Sequence, residues 1–197
     1  MNRGVQRFIP IIFLIVIVGL LIAAAVSVVR IFTNNNADET SQVIDVSNEA
    51  LLNTTADRSV RMIARGAIVA DEAFRSYQII ITPGMRDFNR YQGYLAQPLV
   101  SKQYENNTKA YDEFVHALAL AGLAKGTPLA GAADDTRGVC AGGIVYEFAI
   151  MNGKSTVKRL WTSTCDTAKG SLVADVGQVR GLFLTQIPDA DQYIGKD

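Results

Sequence analysis

Ile144–Met151, IVYEFAIM, and Ser155–Cys165, STVKRLWTSTC, stand on either side of Asn152-Gly153-Lys154. Both runs are rich in β-branched and aromatic residues, the composition of strands. Asn-Gly is the preferred central pair of a two-residue type I′ hairpin, because both positions need positive φ. With Asn152 and Gly153 as that pair, Met151 faces Lys154, Phe148 faces Val157 and Ile144 faces Trp161. The only two cysteines, Cys140 and Cys165, then fall opposite each other at the far end. Alternation from the turn makes theirs a non-hydrogen-bonded pair, with Cα atoms ~4.5 Å apart and within the disulfide range of ~4.4–6.8 Å. The spacing thus predicts a Cys140–Cys165 bridge worth about 3 kcal/mol in the chain-entropy account, and a bulge near Gly142-Gly143 would shift it by a residue.

The same register assigns faces. Ile144, Tyr146, Phe148, Ile150, Val157 and Trp161 form an apolar wall, while Glu147 faces Lys158 on a wetter side that also carries Val145 and Leu160. Helices must cover the wall. One runs from Asn107 or Thr108 to about Ala121, with Tyr111, Phe114, Val115 and Leu118 in one stripe and Gly122 as its stop. Another spans about Ala174–Gln186 and is ended by Pro188, with Gly177 and Gly181 allowing close approach to the sheet. Further strands are expected over Arg58–Arg65, over Phe74–Thr82 before Pro83-Gly84, and around Phe88–Tyr94, followed by an irregular crossing to residue 107. Ser47 caps a short helix, Lys125–Gly138 is a surface loop, and the tail DADQYIGKD is polar and frayed. The fold class that results is α+β, an antiparallel sheet with helices packed on one face.

Upstream lies Phe8–Val29, twenty-two residues without a charge. At 1.5 Å per residue the run reaches ~33 Å, enough for a hydrocarbon core of ~30 Å. Arg3 and Arg7 precede it, while Arg30, placed to snorkel at the outer interface, and then Asp38 and Glu39 follow. The basic excess on the N-terminal side predicts residues 1–7 in the cytosol, a transmembrane helix over 8–30, a polar linker over 31–42 and an extracytoplasmic domain over 43–197. Ala23-Ala24-Ala25 also matches a signal-peptide cleavage pattern, but the apolar run outlasts a usual signal core of ~7–15 residues. The expected protein is a single-pass cell-membrane protein with a signal anchor and its C-terminal domain outside. Oxidised cysteines fit that compartment.

Composition narrows the partners. Of 19 basic residues, three arginines precede Asp38, leaving 16 against 19 acids from residue 31 onward. A mildly acidic body without a basic stripe argues against nucleic acid. Catalytic equipment is sparse. The one histidine, His116, sits on the Asn107–Ala121 helix without a GxSxG elbow, and neither CxxC, P-loop nor dinucleotide fingerprint occurs. Asp189 and Asp191 lack the companions of a cation site. No cofactor and no catalytic or metal residue is assigned. The chain reads as a non-catalytic binding or surface-interaction module, with the bilayer met through residues 8–30 and a protein partner at the surface. Arg86, Arg90, Tyr91, Tyr94 and Tyr104 form the candidate interaction surface, since tyrosine and arginine dominate interface hot spots. A hydrolase using carboxylates alone is the enzyme alternative. Asn53-Thr54-Thr55 and Asn106-Asn107-Thr108 are glycosylation sequons if the host modifies asparagine.

Two resemblances attach to these residues. Arg3-Gly4 ahead of the apolar run resembles the start of a type IV pilin, which implies a filament subunit cut after Gly4. Bacterial pilins carry glutamate five residues past that glycine, whereas Ile9 stands here and no acid occurs in the helix. The segments NNTKAYDEF, GVCAGGIVYEF, LWTSTC and LFLTQIPD resemble uncharacterised single-pass cell-surface proteins of candidate-phylum bacteria such as Saccharibacteria. That resemblance spans most of residues 55–190 and implies an anchored extracytoplasmic domain, with no activity to carry over.

Overall fold

A computed structural model of the chain describes residues 46–195. The expectations for residues 1–7, 8–30 and 31–42 lie outside the described residues. Among the described residues no helix is long and apolar enough to cross a membrane. The elements are α1 (Val46–Leu52), β1 (Arg58–Arg65), β2 (Arg75–Ile81), β3 (Met85–Gln92), β4 (Gln97–Glu105), α2 (Thr108–Leu120), a 3-10 turn (Gly131–Asp134), β5 (Val145–Asn152), β6 (Ser155–Ser163), α3 (Val176–Leu184) and α4 (Ala190–Ile194). The fold is α+β, with one six-stranded antiparallel sheet in the order β4-β3-β2-β1-β5-β6.

Alternation builds the core. Val60, Met62 and Ala64 of β1 lie between Ile81, Ile79 and Tyr77 of β2 and Ile150, Phe148 and Tyr146 of β5, and all of them are buried. Helix residues Tyr111, Phe114, Val115, Leu118, Val179 and Phe183 join that same core. Both helix starts are capped as their sequences dictate. The Asn107 side chain accepts from the Ala110 amide at 2.9 Å, and the Asp175 side chain from Gln178 at 2.8 Å. Gly122, at φ 83°, closes α2, and Leu123 N–H reaches back to the Leu118 carbonyl at 2.9 Å. Gly177 and Gly181 do not bring α3 against the sheet, since a Cβ on Gly181 would meet nothing within 4 Å and one on Gly177 only Asp175.

Strand β4 replaces the irregular crossing expected before residue 107. Val100, Lys102 and Tyr104 share the core-side face of a strand whose other residues are exposed, so no apolar alternation marks it. Pro98 and Lys102 stand on this outermost strand. The tail also differs from expectation: Ala190 and Ile194 are buried, and Tyr193 packs 5.7 Å from the Phe88 ring. Arg86 and Arg90 hold it, donating to the Gln186 carbonyl at 2.9 Å and the Tyr193 carbonyl at 3.2 Å.

The hairpin forms with a different register. Asn152 pairs with Arg58 of β1, and Gly153 N–H donates to the Asp57 carbonyl at 2.7 Å, so Asn152 stays in the sheet. The two-residue loop becomes Gly153-Lys154, closed by Asn152 and Ser155. Only Gly153 takes positive φ, 55°, whereas a type I′ turn would need two such residues. A bulge between Ile150 and Met151 leaves Val157 as the extra residue. Phe148 then faces Leu160, and Glu147 faces Trp161. The turn moves the register by two residues and the bulge adds a third, and this odd total turns the β6 side chains beyond the bulge over to the other face. Leu160 therefore enters the core in place of Val157 and Trp161, and Trp161 packs on the opposite face with Val145 and Cys140.

Phe183 meets Phe114 edge-on at 5.4 Å and lies 6.0 Å from Phe148, tying α2 and α3 to β5. Truncating it with Phe183→Ala is expected to cost about 3–5 kcal/mol. Urea unfolding would read this as a lower midpoint at unchanged slope.

Candidate functional site

At one end of the sheet, the close of β1 and the opening of β2 meet the β3–β4 loop and the segment 136–140. Between them lies a cleft of about 440 Å³. Phe74 and Tyr94 stack at 4.2 Å with an interplanar angle of 16° and form one wall. Ile68, Ala96, Val139, Cys140 and Val145 contribute the rest of its apolar side-chain lining. Tyr94 is fixed at both ends: its hydroxyl donates to the Val69 carbonyl at 2.7 Å, and its amide donates to Asp71 Oδ1 at 2.7 Å. Gly93 is required there, because its φ is 71° and a Cβ would sit 2.9 Å from the Asp71 carboxylate.

The opposite wall is pinned by a charged clasp beneath it. Arg65 meets Glu147 Oε1 at 2.6 Å and donates to Thr136 Oγ1. Thr136 in turn donates to Glu147 at 3.2 Å. Arg159 takes the other Glu147 oxygen through Nε at 2.8 Å and Nη2 at 2.5 Å, and its Nη1 reaches Asp134 Oδ1 at 2.7 Å. Strands β1, β5 and β6 are thereby joined to the 134–136 segment by charge-assisted bonds. At the mouth Arg137 is exposed and paired with Asp135 through Nε at 2.9 Å and Nη2 at 2.5 Å. The guanidinium holds the Asp135 carboxyl down at about 2. A depressed acid contributes above its unfolded value and loses that contribution only as pH falls through the folded one, so the pair persists down to strongly acid solution.

The Cys140–Cys165 disulfide is present, with Cα atoms 5.6 Å apart, but its geometry is not that of a ladder pair. Ile144 and Thr164 continue the β5–β6 ladder one step, Thr164 N–H donating to the Ile144 carbonyl at 2.9 Å. On that register the position across from Cys165 is Gly143. A Cβ there would lie 2.7 Å from Cys140 Sγ and 3.3 Å from Cys165 Sγ. The missing side chain of Gly143 is what lets the chain fold back and bring Cys140 in. Ile68 N–H donates to the Ala141 carbonyl at 2.8 Å and joins this loop to the β1–β2 connection.

The five residues of the expected interaction surface separate into three places. Arg86, Arg90 and Tyr104 line the seam with α4, where Arg86 lies 5.7 Å over the Tyr104 ring and the Tyr104 hydroxyl is 3.4 Å from that of Tyr193. Tyr91 lies on the opposite sheet face between Ser76 and Pro98, and Tyr94 lines the cleft. Ile68, Thr136, Arg137 and Val139 were not legible as site residues. They sit in connections whose meeting depends on the β1–β5 pairing, and the only pointer to it was Cys140 beside them. His116 is exposed, its Nδ1 2.8 Å from the Asp112 carbonyl, and it lies on α2, outside the cleft lining. No carboxylate or imidazole lines the cleft. Among the described residues no group of three or more metal-binding side chains is assembled. The arrangement is suited to holding a ligand against apolar walls. No family model matches the chain, and no curated protein matches it.

Two substitutions separate the supports of the cleft. Glu147→Gln should cost roughly 2 kcal/mol, the worth of hydrogen bonds to charged groups, and should speed amide exchange in residues 134–141. Gly143→Ala places its Cβ against Thr164 Oγ1 and 2.7 Å from Cys140 Sγ, so the loop must move and thiol titration of the purified variant should find free cysteine where the parent has none.

Proposed function

We propose that this chain is a membrane-tethered binding module whose folded domain stands outside the cytosol, with the cleft as its ligand site. The observation that carries the location is the Cys140–Cys165 bridge, since disulfides persist in oxidising compartments. The uncharged run Phe8–Val29, with Arg3 and Arg7 before it and Arg30 as the one basic residue between it and Asp38, supports a single span over 8–30 and an external body from residue 43. The resemblance to single-pass surface proteins points the same way. A preformed, largely apolar recess with a few polar groups is the usual form of a small-ligand site, and about 440 Å³ falls within the usual range of roughly 300–1,000 Å³. Binding at that recess and anchoring by the apolar run together make a surface receptor or scavenging module.

Protease added to intact cells should remove the domain, leaving a membrane-bound N-terminal stub. A membrane-impermeant maleimide should label Cys140 and Cys165 only after an external reductant is applied. Protection of the domain until lysis, or free thiols in the untreated protein, would overturn the location.

A further inference from the structure

We propose that the cleft binds a free, single-headed anionic amphiphile: an alkyl or aryl body against the apolar walls and one carboxylate at Arg137. This rests on the reading of the domain as a binding module and adds the chemistry of what is bound. The size sets the first limit. A space of about 440 Å³ corresponds to roughly fifteen water volumes, which suits one chain of about eight to twelve carbons. A two-chain lipid exceeds it.

The lining sets the second limit. Its permanently charged lining residues are Arg65 and Arg137; no aspartate or glutamate is among the lining residues, and the acids paired with the two arginines, Glu147 and Asp135, stand outside it. Arg65 is used within the clasp by Glu147 and Thr136. Arg137 is not used up in the same way: its side chain is 85% exposed, and Asp135 engages Nε and Nη2 but not Nη1. The Asp135 pair fixes the guanidinium at the mouth and leaves one amino edge for an incoming anion, the geometry in which arginine takes a carboxylate. The rim supplies the third argument. Ile68 and Tyr94 line the recess and are still 50% and 51% exposed, and Leu95, between the lining residues Tyr94 and Ala96 in sequence, is 87% exposed. Such a patch next to a cleft marks a binding site more than it does an ordinary surface. An amphiphile would cover the rim while its body replaces the water of the cleft.

The test uses the purified full-length chain in phosphatidylcholine nanodiscs, with a diazirine-bearing decanoate as photoprobe and peptide mass spectrometry as readout. Labels are expected within residues 66–76, 93–97 and 136–145. Octanoate should displace the probe about tenfold better than octan-1-ol, the increment of a hydrogen bond to a charged partner. Arg137→Ala, at an exposed position that the core does not need, should bring octanoate down to the level of the alcohol. Labels scattered outside the cleft would overturn the proposal. So would equal displacement by octanoate and octan-1-ol, or stronger displacement by octylammonium. Loss of cleft labelling on exchanging phosphatidylcholine for phosphatidylglycerol would also overturn it, in favour of a bilayer lipid. The side of the membrane does not enter this measurement, so it succeeds or fails separately from the protease result.

Discussion

The pairing of β1 with β5 is the contact on which the rest of the molecule depends. Strands β1 to β4 form a local meander and β5 with β6 a local hairpin, so each piece can assemble from near neighbours. Only the ladder from Arg58–Asn152 to Arg65–Val145 makes one sheet of them, across some eighty residues of intervening chain. That ladder places Met62 between Ile79 and Phe148 at the centre of the core. It brings Arg65 to Glu147, and so carries the clasp that holds one wall of the cleft. Long-range pairing of this kind is costly to close before its rewards arrive.

The same ladder explains which features were legible in the sequence. Elements specified by their own residues came through: the alternation of β1, the aromatic and β-branched run of β2, the apolar stripe of α2 and its glycine stop. The disulfide was also foreseen, but by a register that the structure does not adopt. Asn152 favours a turn by local chemistry, yet its bonds to β1 keep it in the strand, and tertiary pairing outweighs the turn preference. The resulting slip moved Trp161 from the core to the reverse face, while Gly143 restored the approach of the sulfurs. Strand β4 and the tail were missed for another reason. Among their inward residues Val100, Ala190 and Ile194 are interspersed with Lys102, Tyr104 and Tyr193, amphipathic side chains over the core edge, so no apolar pattern is spelled out.

The cleft was the least legible part because its walls come from three separate connections and the strand ends beside them. Tyr94 was singled out as a recognition residue, and it does line the recess, but its neighbours there are Phe74, Ile68 and Val139. Of the other residues grouped with it, Arg86, Arg90 and Tyr104 serve the packing of α4, and Tyr91 stands beside Ser76 on the cleft's face of the sheet but outside the cleft lining. Tyrosine and arginine content alone could not separate a side chain that anchors a helix from one that faces a ligand. Backbone pairing and hydrogen-bond partners do separate them.

Both borders of the sheet carry devices that stop it from growing. On β4 the proline at 98 withholds an amide and the lysine at 102 brings charge, both of which discourage a further strand. On β6 the extra residue Val157 distorts the outer rail, and the Ser171 and Leu172 amides occupy the Trp161 carbonyl. Chains crowded side by side would therefore meet through side chains and loops, and runaway edge-to-edge polymerisation is blocked at the level of the backbone.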